Sequence, residues 1–244
     1  MKYACRTLLI FLWEFYGIMK KFALIVAGGN GTRMGAPISK QYLPIGRRPV
    51  LMHTLEKFHN TDPMIDLTLV IPEGDFVFWG KLCEEHAFSV PHHLVSGGRS
   101  RFQSVKNGLN SISDSQGIVA IHDGVRPFVS REVILESFLE AEKKGSAITV
   151  IPLKDSIRKL TDDGKSVFKE RQYYRLVQTP QTFDLSKIKK AFEVQELAQF
   201  TDDATVYEHQ GWQVHLISGN LENIKITTPE DLEYADFLIG KKSN

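Results

Sequence analysis

The sequence predicts an α/β fold in which a mostly parallel central sheet lies between two layers of helices. Short, continuously apolar segments are typical of buried parallel strands, and helical patterns separate them along the chain. Glycine or proline occurs within two residues of several predicted strand ends, for example Pro72 and Gly124. Because the ligands of such sheets bind beyond the carboxyl ends of the strands, we expect the functional site at that edge.

Each predicted element follows from the local pattern of apolar residues. The apolar segments are too short for helices, and we expect strands at residues 22–27, 66–71, 93–95, 117–122 and 147–151. Helical spacing predicts helices at residues 50–60, 79–86, 101–111 and 131–144. Later in the chain the pattern predicts helices at residues 186–199 and 229–239, with a strand at residues 212–217 between them.

Residues 152–182 break this alternation of strands and helices. Apolar and polar residues alternate there around Asp162-Asp163-Gly164, which is typical of a β-hairpin. The segment is too polar for a core hairpin, so we expect an arm that projects from the body. No repeat, low-complexity tract or change of composition marks a linker, and residues 19–244 are predicted to form one domain with this arm.

The 244-residue chain has a globular composition, with 42% hydrophobic and 24% charged residues. Its net charge of +1 gives no electrostatic support for binding to nucleic acid or to an anionic membrane, so we expect neither partner. The two cysteines, Cys5 and Cys83, form no disulfide framework, which indicates a reducing cytoplasm.

Residues 1–18 are predicted to be an extension without a targeting role. Their apolar stretch from Leu8 to Trp13 ends at Glu14 and is far shorter than the roughly 20 residues that span a bilayer. The following Met19-Lys20-Lys21 resembles a second translation start directly before the first predicted strand.

A glycine-rich loop, AGGNGTRM, follows the first predicted strand at residues 27–34. Bare backbone N–H groups after a strand form a concavity that binds anions, so the loop indicates a nucleotide site. A P-loop would need Gly-Lys-Ser or Gly-Lys-Thr where this chain has Gly31-Thr32-Arg33, and Met34 replaces the third glycine of the dinucleotide fingerprint. From the glycines alone, a tight strand–helix turn with a surface arginine stays an alternative.

Seven motifs, in order, extend this interpretation over residues 20–239. They are residues 27–34 (AGGNGTRM), residues 40–43 (KQYL), Gly97-Gly98 with Arg101 and Ser104-Val105, residues 122–127 (HDGVRP), residues 179–181 (TPQ), residues 201–204 (TDDA) and residues 222–227 (ENIKIT). In these motifs the chain resembles the nucleotidyltransferases, and more closely the 2-C-methyl-D-erythritol 4-phosphate cytidylyltransferase family. The resemblance implies a three-layer Rossmann-like nucleotidyltransferase fold with a projecting β-arm.

The family reaction joins the phosphate of methylerythritol phosphate to the α-phosphorus of CTP and releases pyrophosphate. The resemblance implies that Arg33 and Lys40 stabilise the transition state, and that Lys225 and Arg171 hold the attacking phosphate. It also implies Mg²⁺ as the cofactor, carried mainly by the CTP phosphates, with Asp123 as the candidate protein ligand.

The resemblance divides the binding residues between the two substrates. It implies Ala27, Gly28, Gly29, Gly31, Gly98, Ser104 and Asp123 for the nucleotide, and Asp123, Arg126, Ser156, Arg171, Thr179 and Thr201 for the alcohol. The family completes the alcohol pocket with the arm of a second subunit, so we expect a homodimer whose exchanged arms supply Ser156, Arg171 and Thr179. Ser156 and Glu222 depart from the threonine and aspartate that are frequent in the family.

Three alternatives remain from the sequence. Ribitol-5-phosphate cytidylyltransferases share the nucleotide and the chemistry, but the spacing from Arg33 to Lys40 and the motif at residues 201–203 fit the isoprenoid branch better. Sugar-nucleotide pyrophosphorylases share the glycine loop and lack the later motifs. A non-catalytic nucleotide-binding regulator would not need Arg33, Lys40 and Lys225, which are all present.

Overall fold

A computed structural model describes residues 19–28 and 38–242 of the chain. Its strands are β1 (Lys21–Val26), β2 (Pro44–Ile45), β3 (Arg48–Pro49), β4 (Asp66–Ile71), β5 (His93–Ser96), β6 (Ile118–Asp123), β7 (Ser146–Pro152), β8 (Ile157–Leu160), β9 (Ser166–Lys169), β10 (Arg175–Asp184) and β11 (Leu216–Ser218). Seven strands form one sheet in the order β11-β7-β10-β6-β1-β4-β5, and β2-β3 and β8-β9 are short hairpins.

Strand β1 lies in the middle of the sheet between two parallel neighbours. Phe22 pairs with Asp66 of β4 on one side, and Val26 pairs with Asp123 of β6 on the other. Strands β4 and β5 are also parallel, so the carboxyl ends of four neighbouring strands meet at one edge. Strand β10 runs antiparallel to both β6 and β7, which confirms a mostly, though not wholly, parallel sheet.

Helices cover both faces of the sheet, as the sequence predicts. They are α1 (Val50–Thr61), α2 (Phe76–Glu85), α3 (Arg101–Ser111), α4 (Arg131–Lys144), α5 (Leu185–Ala191), α6 (Asp203–Glu208) and α7 (Pro229–Lys242). Helices α1, α2 and α4 pack on the face that carries Ala23 and Ile25, whereas α3, α5 and α6 pack on the face that carries Phe22 and Leu24. This division follows from the two-residue period of strand side chains and produces three layers.

Helix α7 closes a smaller apolar cluster beside the sheet. Its Ala235 and Leu238 pack with Ile45 of β2 and with Val125, which follows β6. Among the helices of the described part of the chain, none combines the length and the apolar character that a membrane crossing requires.

The arm is a two-stranded hairpin beyond the end of β7. Ile157 of β8 pairs with Lys169 of β9, and Gly164 takes a φ of +78° in the connecting turn. This is the hairpin that the sequence predicts around Asp162-Asp163-Gly164. Strand β10, however, returns residues 178–183 to the buried part of the sheet, so the projecting segment ends before Gln178 rather than at residue 182.

Two late elements are shorter than the sequence predicts. The helix expected at residues 186–199 ends at Ala191, because Phe192 turns inward and stacks on Phe102 with ring centroids 4.8 Å apart. The strand expected at residues 212–217 pairs only from Leu216 to Ser218. Trp212 instead packs on Tyr207, with ring centroids 4.9 Å apart, so its apolar side chain serves helix packing and not strand pairing.

Candidate active site

Asp123 lies at the centre of the candidate site. It is the last residue of β6, whose six residues are all buried, and its side chain is 9% exposed. Lys225 Nζ lies 3.0 Å and Arg126 Nε 3.3 Å from Oδ2 of Asp123, and Arg101 Nε lies 3.4 Å from Oδ1. The carboxyl edge of the sheet therefore carries a local excess of positive charge, which suits anionic ligands although the net charge of the whole chain is small.

The three cations decide the ionisation of Asp123. Burial would raise the pKa of its carboxyl group, but the charges of Arg101, Lys225 and Arg126 outweigh burial and hold the pKa well below its usual range. The carboxylate is therefore charged at neutral pH and keeps the three cationic groups close together.

Asp203 holds the guanidinium of Arg101 from the other side. Arg101 Nη1 and Nη2 lie 2.8 and 2.7 Å from the two carboxylate oxygens of Asp203, which is the bidentate geometry that arginine favours. Burial would lower the pKa of Arg101, but Asp203 and Asp123 raise it above its ordinary value. For Asp203 itself, burial raises the carboxyl pKa and the charge of Arg101 opposes that effect.

The position of Asp203 follows from the start of α6. The Asp202 side chain accepts the backbone N–H of Thr205 and caps this helix, and the Thr205 side chain bonds back to Asp202. Gln181 of β10 anchors the same turn, since its side chain donates to Asp202 at 2.8 Å and accepts the N–H of Ala204 at 2.9 Å. The motif at residues 201–204 thus positions the partner of Arg101.

A buried hydrogen-bond chain supports Asp123. Its N–H donates to Thr179 Oγ1 at 3.1 Å, and that hydroxyl lies 3.0 Å from His122 Nδ1. His122 Nε2 lies 3.0 Å from the carbonyl oxygen of Arg126, which only accepts, so Nε2 carries the proton and Nδ1 accepts from Thr179. Burial lowers the pKa of His122 to about 4, so the ring is neutral at neutral pH and accepts the hydrogen bond of Thr179.

Thr179 differs from its expected place. The sequence interpretation gives Thr179 to the pocket of a second subunit, as part of the exchanged arm. The structure places it in β10, buried, where its hydroxyl contacts His122 and Asp123 of the same chain. Because β10 is paired with strands on both sides, this residue belongs to the site of its own chain.

The segment that carries Lys225 runs alongside the residues that follow β6. The N–H of Ile226 donates to the carbonyl of Val125 at 3.0 Å, and Arg126 Nη1 donates to the carbonyl of Asn223 at 2.8 Å. The Asn223 side chain, which is fully buried, donates to the carbonyl of Thr179 at 2.8 Å. These bonds explain why Lys225 meets Asp123 although the two residues are far apart in the sequence.

The predicted nucleotide residues within the described part of the chain come together at the end of β1. Ser104 Oγ accepts the N–H of Gly98 at 3.0 Å and donates to the carbonyl of Ser100 at 2.8 Å. Gly28 is so close that a Cβ atom added there would lie 2.9 Å from Ser104 Oγ. The close packing of Gly28, Gly98 and Ser104 leaves bare backbone at the site, as a pocket closed by main chain requires.

Lys40 begins a short 3₁₀ helix, Lys40–Tyr42, that is anchored beside β1. The Gln41 side chain donates to the carbonyl of Ala27 at 3.1 Å, and the Tyr42 hydroxyl donates to Asp75 at 2.9 Å. Two anchored neighbours fix the backbone at Lys40 next to the end of β1, where the glycine-rich loop starts.

Other predicted residues are exposed or lie outside the described residues. Gly29, Gly31 and Arg33 lie outside the described residues. Ser156 and Arg171 are exposed on the arm, where Arg171 donates to the carbonyl of Lys154 of the same chain. Thr201 is exposed and directly precedes the cap of α6.

Several residues at the site received no role from sequence reasoning. These residues lie within the seven sequence motifs, but only the fold shows what their side chains contact. They are Gln41, Arg101, Asp203 and Asn223. Arg101 and Asp203 are separated by 102 positions, so local pattern gives no sign of their ion pair.

Comparison with known proteins identifies the family. The sequence profile of 2-C-methyl-D-erythritol 4-phosphate cytidylyltransferase matches residues 22–241. The protein of that name from Bacteroides fragilis is 51% identical over 221 residues, which cover 91% of this chain and 100% of the relative. The protein of the same name from Bacteroides thetaiotaomicron is 49% identical with the same coverage.

Solved structures give the same result. The crystal structure of 4-diphosphocytidyl-2C-methyl-D-erythritol synthase from Anaerococcus prevotii matches with a TM-score of 0.80 and 31% identity, covering 91% of this chain and 96% of that chain. That of 2-C-methyl-D-erythritol 4-phosphate cytidylyltransferase from Thermus thermophilus matches with a TM-score of 0.70 and 26% identity, covering 91% and 98%. The chain therefore belongs to the 2-C-methyl-D-erythritol 4-phosphate cytidylyltransferase family.

Proposed function

We propose that the protein transfers the cytidylyl group of CTP to the phosphate of 2-C-methyl-D-erythritol 4-phosphate, giving 4-diphosphocytidyl-2-C-methyl-D-erythritol and pyrophosphate. The observation that carries this proposal is the ionised Asp123 among Arg101, Arg126 and Lys225. Both substrates are phosphorylated, and these cations stand at the sheet edge where the glycine-rich loop begins.

The cationic residues act by binding and by charge neutralisation. Negative charge gathers on the oxygens around the α-phosphorus in the transition state, and cations that are already fixed stabilise it without reorganisation. We assign Lys225 and Arg126 to the acceptor phosphate because both lie at Oδ2 of Asp123. Lys40, with Arg33 of the loop, is assigned to the phosphates of CTP.

The nucleotide base is proposed to lie against Gly28, Gly98 and Ser104. A side chain at position 28 or 98 would collide with its neighbours, so the backbone at these two glycines is bare. A flat ring could stack against this bare backbone. Main-chain N–H and C=O groups then select a pyrimidine by shape and by hydrogen bonding.

The donor set at the site fits Mg²⁺ that arrives with the nucleotide. Across residues 19–28 and 38–242, no group of three or more His, Cys, Asp or Glu side chains is arranged to hold a metal ion. Asp123 offers one carboxylate, and Mg²⁺ typically combines one or two carboxylates with substrate phosphates. When bound, Mg²⁺ would neutralise phosphate charge and be held mainly by the CTP phosphates, since Arg101, Arg126 and Lys225 already face the two oxygens of Asp123, its candidate protein ligand.

The arm is proposed to reach the site of a second copy in a homodimer. It exposes large apolar side chains, among them Leu160 at 75% and Tyr173 at 76%, and a partner chain would cover such surface. In this arrangement Ser156 and Arg171 contact the acceptor phosphate of the partner's site. We also infer a cytoplasmic location, since the two cysteines form no disulfide framework.

One assay tests the proposed reaction. The purified protein is given CTP and Mg²⁺ with either 2-C-methyl-D-erythritol 4-phosphate or ribitol 5-phosphate, and pyrophosphate release is followed. We expect turnover with the first acceptor, and at least about a hundredfold lower kcat/KM with the second. Equal or better use of ribitol 5-phosphate would reassign the substrate, and absence of turnover with both would support a non-catalytic role.

A further inference from the structure

Arg101 spans two carboxylates with one guanidinium group. Its Nη1 and Nη2 are committed to Asp203 at 2.8 and 2.7 Å, while its Nε faces Oδ1 of Asp123 at 3.4 Å. We infer that Arg101, clamped by Asp203, is a positioning residue that sets the orientation of the Asp123 carboxylate. This inference rests on the proposed function, because Asp123 is taken as the carboxylate at the reacting phosphates.

The two oxygens of Asp123 have different partners. Lys225 and Arg126 share Oδ2, whereas Arg101 faces Oδ1. A carboxylate that is held at both oxygens has a defined rotation about its last bond, so each lone pair points in a fixed direction. Loss of the contact at Oδ1 would leave Asp123 ionised and held at Oδ2 by Lys225 and Arg126, but with no partner that fixes the direction of Oδ1.

Asp203 is what makes Arg101 a rigid support. Its carboxylate is 1% exposed and binds the guanidinium through two parallel bonds, which fix the plane of that group. A lysine at position 101 would carry the same charge on a compact ammonium group, whose three N–H donors lack the planar spacing with which the guanidinium serves two carboxylates at once. The geometry of the fork, and not charge alone, therefore carries the proposed role.

Arg101 also connects the two sides of the site. It is the first residue of α3, whose Ser104 holds Gly98 on the nucleotide side. Asp203 is the first residue of α6 and lies two positions after Thr201, on the side assigned to the acceptor. Because Arg101 itself contacts Asp123, at the reacting phosphates, and not Gly98 or Ser104, the pair should affect the reaction of bound substrates more than the binding of CTP.

The test compares Arg101→Lys, Asp203→Asn and the double variant in the full-length protein, with Arg131→Lys as a matched exchange at an exposed helix start. We expect kcat to fall about tenfold or more in each of the first three, while the KM for CTP changes less than about threefold. Because both residues act as one unit, the double variant should lose about as much as one single variant. The control should match the wild type.

Several results would overturn the inference. The first is an unchanged kcat in Asp203→Asn. The second is an effect that is limited to the KM for CTP. The third is a kcat of the double variant that falls by the product of the two single-variant factors. Thermal unfolding is measured for every variant. If Arg101→Lys fails to fold, the kcat of Asp203→Asn alone tests the inference, because this variant keeps Arg101 and replaces the aspartate with a side chain of the same shape. Lack of turnover in the wild type would instead overturn the proposed function, and with it this inference.

Discussion

The ammonium of Lys225 lies 3.0 Å from Oδ2 of Asp123 and joins the loop before α7 to the end of β6. The lysine side chain is 40% exposed, whereas that of Asp123 is 9% exposed, so one partner of this ion pair is accessible to a ligand and the other is held by the fold. An incoming phosphate can therefore be bound by Lys225 without disruption of the sheet.

This relationship gives the first prediction. Lys225→Met keeps most of the apolar stem and removes the charge, and we expect kcat/KM for the acceptor to fall by about a hundredfold or more. The melting temperature should change little, because the ammonium is partly exposed and Arg101 and Arg126 still pair with Asp123. Steady-state kinetics with varied acceptor, beside thermal unfolding, checks both points. Near-normal kcat/KM would remove Lys225 from the acceptor site.

The second prediction concerns Lys40 at the start of the 3₁₀ helix. If this residue stabilises the transition state more than the bound substrates, Lys40→Ala should lower kcat by about two or more orders of magnitude with a much smaller change in CTP affinity. Single-turnover rates and CTP titration separate the two quantities. A matched loss in CTP affinity, with kcat preserved, would show that Lys40 only binds the nucleotide.

The third prediction concerns the space between Gly28 and Ser104. A methyl group at position 28 would lie 2.9 Å from Ser104 Oγ, which is held by its bonds to Gly98 and Ser100. We expect Gly28→Ala to raise the KM for CTP about tenfold while the KM for the acceptor stays within a factor of about two.

A double-variant cycle identifies the cause. Ser104→Ala removes the oxygen that the added methyl group would crowd. Gly28→Ala should therefore raise the KM for CTP by a much smaller factor in the Ser104→Ala background than in the wild type. Equal costs in the two backgrounds would mean that the added methyl group meets the nucleotide itself and not Ser104.

The fourth prediction tests the exchange of arms. Lys40→Ala and Arg171→Ala should each be inactive, and mixing them under conditions of subunit exchange should restore activity if Arg171 serves the partner's site. Random exchange makes about half of the dimers mixed, each with one intact site, so about a quarter of wild-type activity should return. Native mass spectrometry verifies the exchange. Verified exchange without recovery would assign Arg171 to its own chain or to no site.

The fifth prediction concerns metal removal. EDTA should stop turnover, and an excess of Mg²⁺ should restore it, because the metal is expected to enter with the CTP phosphates. The melting temperature should be unchanged, since the described residues contain no cluster of three or more metal-binding side chains. A fall in melting temperature on chelation would indicate a structural metal instead.

The sequence predicts the central strands and their flanking helices well, for a physical reason. Buried strands such as β1 and β6 are continuous apolar runs, and α3 and α4 begin at serine caps, so local pattern carries the information. The start of the glycine-rich loop, at Gly28, lies close to Ser104, and the assignment of both residues to the nucleotide stays a prediction.

Strand β10 shows where local pattern is insufficient. Its buried part includes Gln178, Gln181 and Thr182, which look like surface residues in the sequence. Gln178 donates to the carbonyl of Asn220 and Gln181 bonds to Asp202, so tertiary hydrogen bonds compensate for the burial of these amides. For the same reason, the sequence does not show that Arg101 pairs with Asp203, which lies 102 positions further along the chain.

The pairing of β7 with β10 continues to Arg175 opposite Pro152, at the point where the arm leaves the body. The arm is thus connected to the body through two paired strands and not through single unpaired segments. The twist of the sheet therefore sets the direction in which the arm projects. A substitution in β7 or β10 that altered this twist would change the direction in which the exposed apolar side chains of the arm face. The same sheet therefore determines both the position of Asp123 and the direction in which the arm projects.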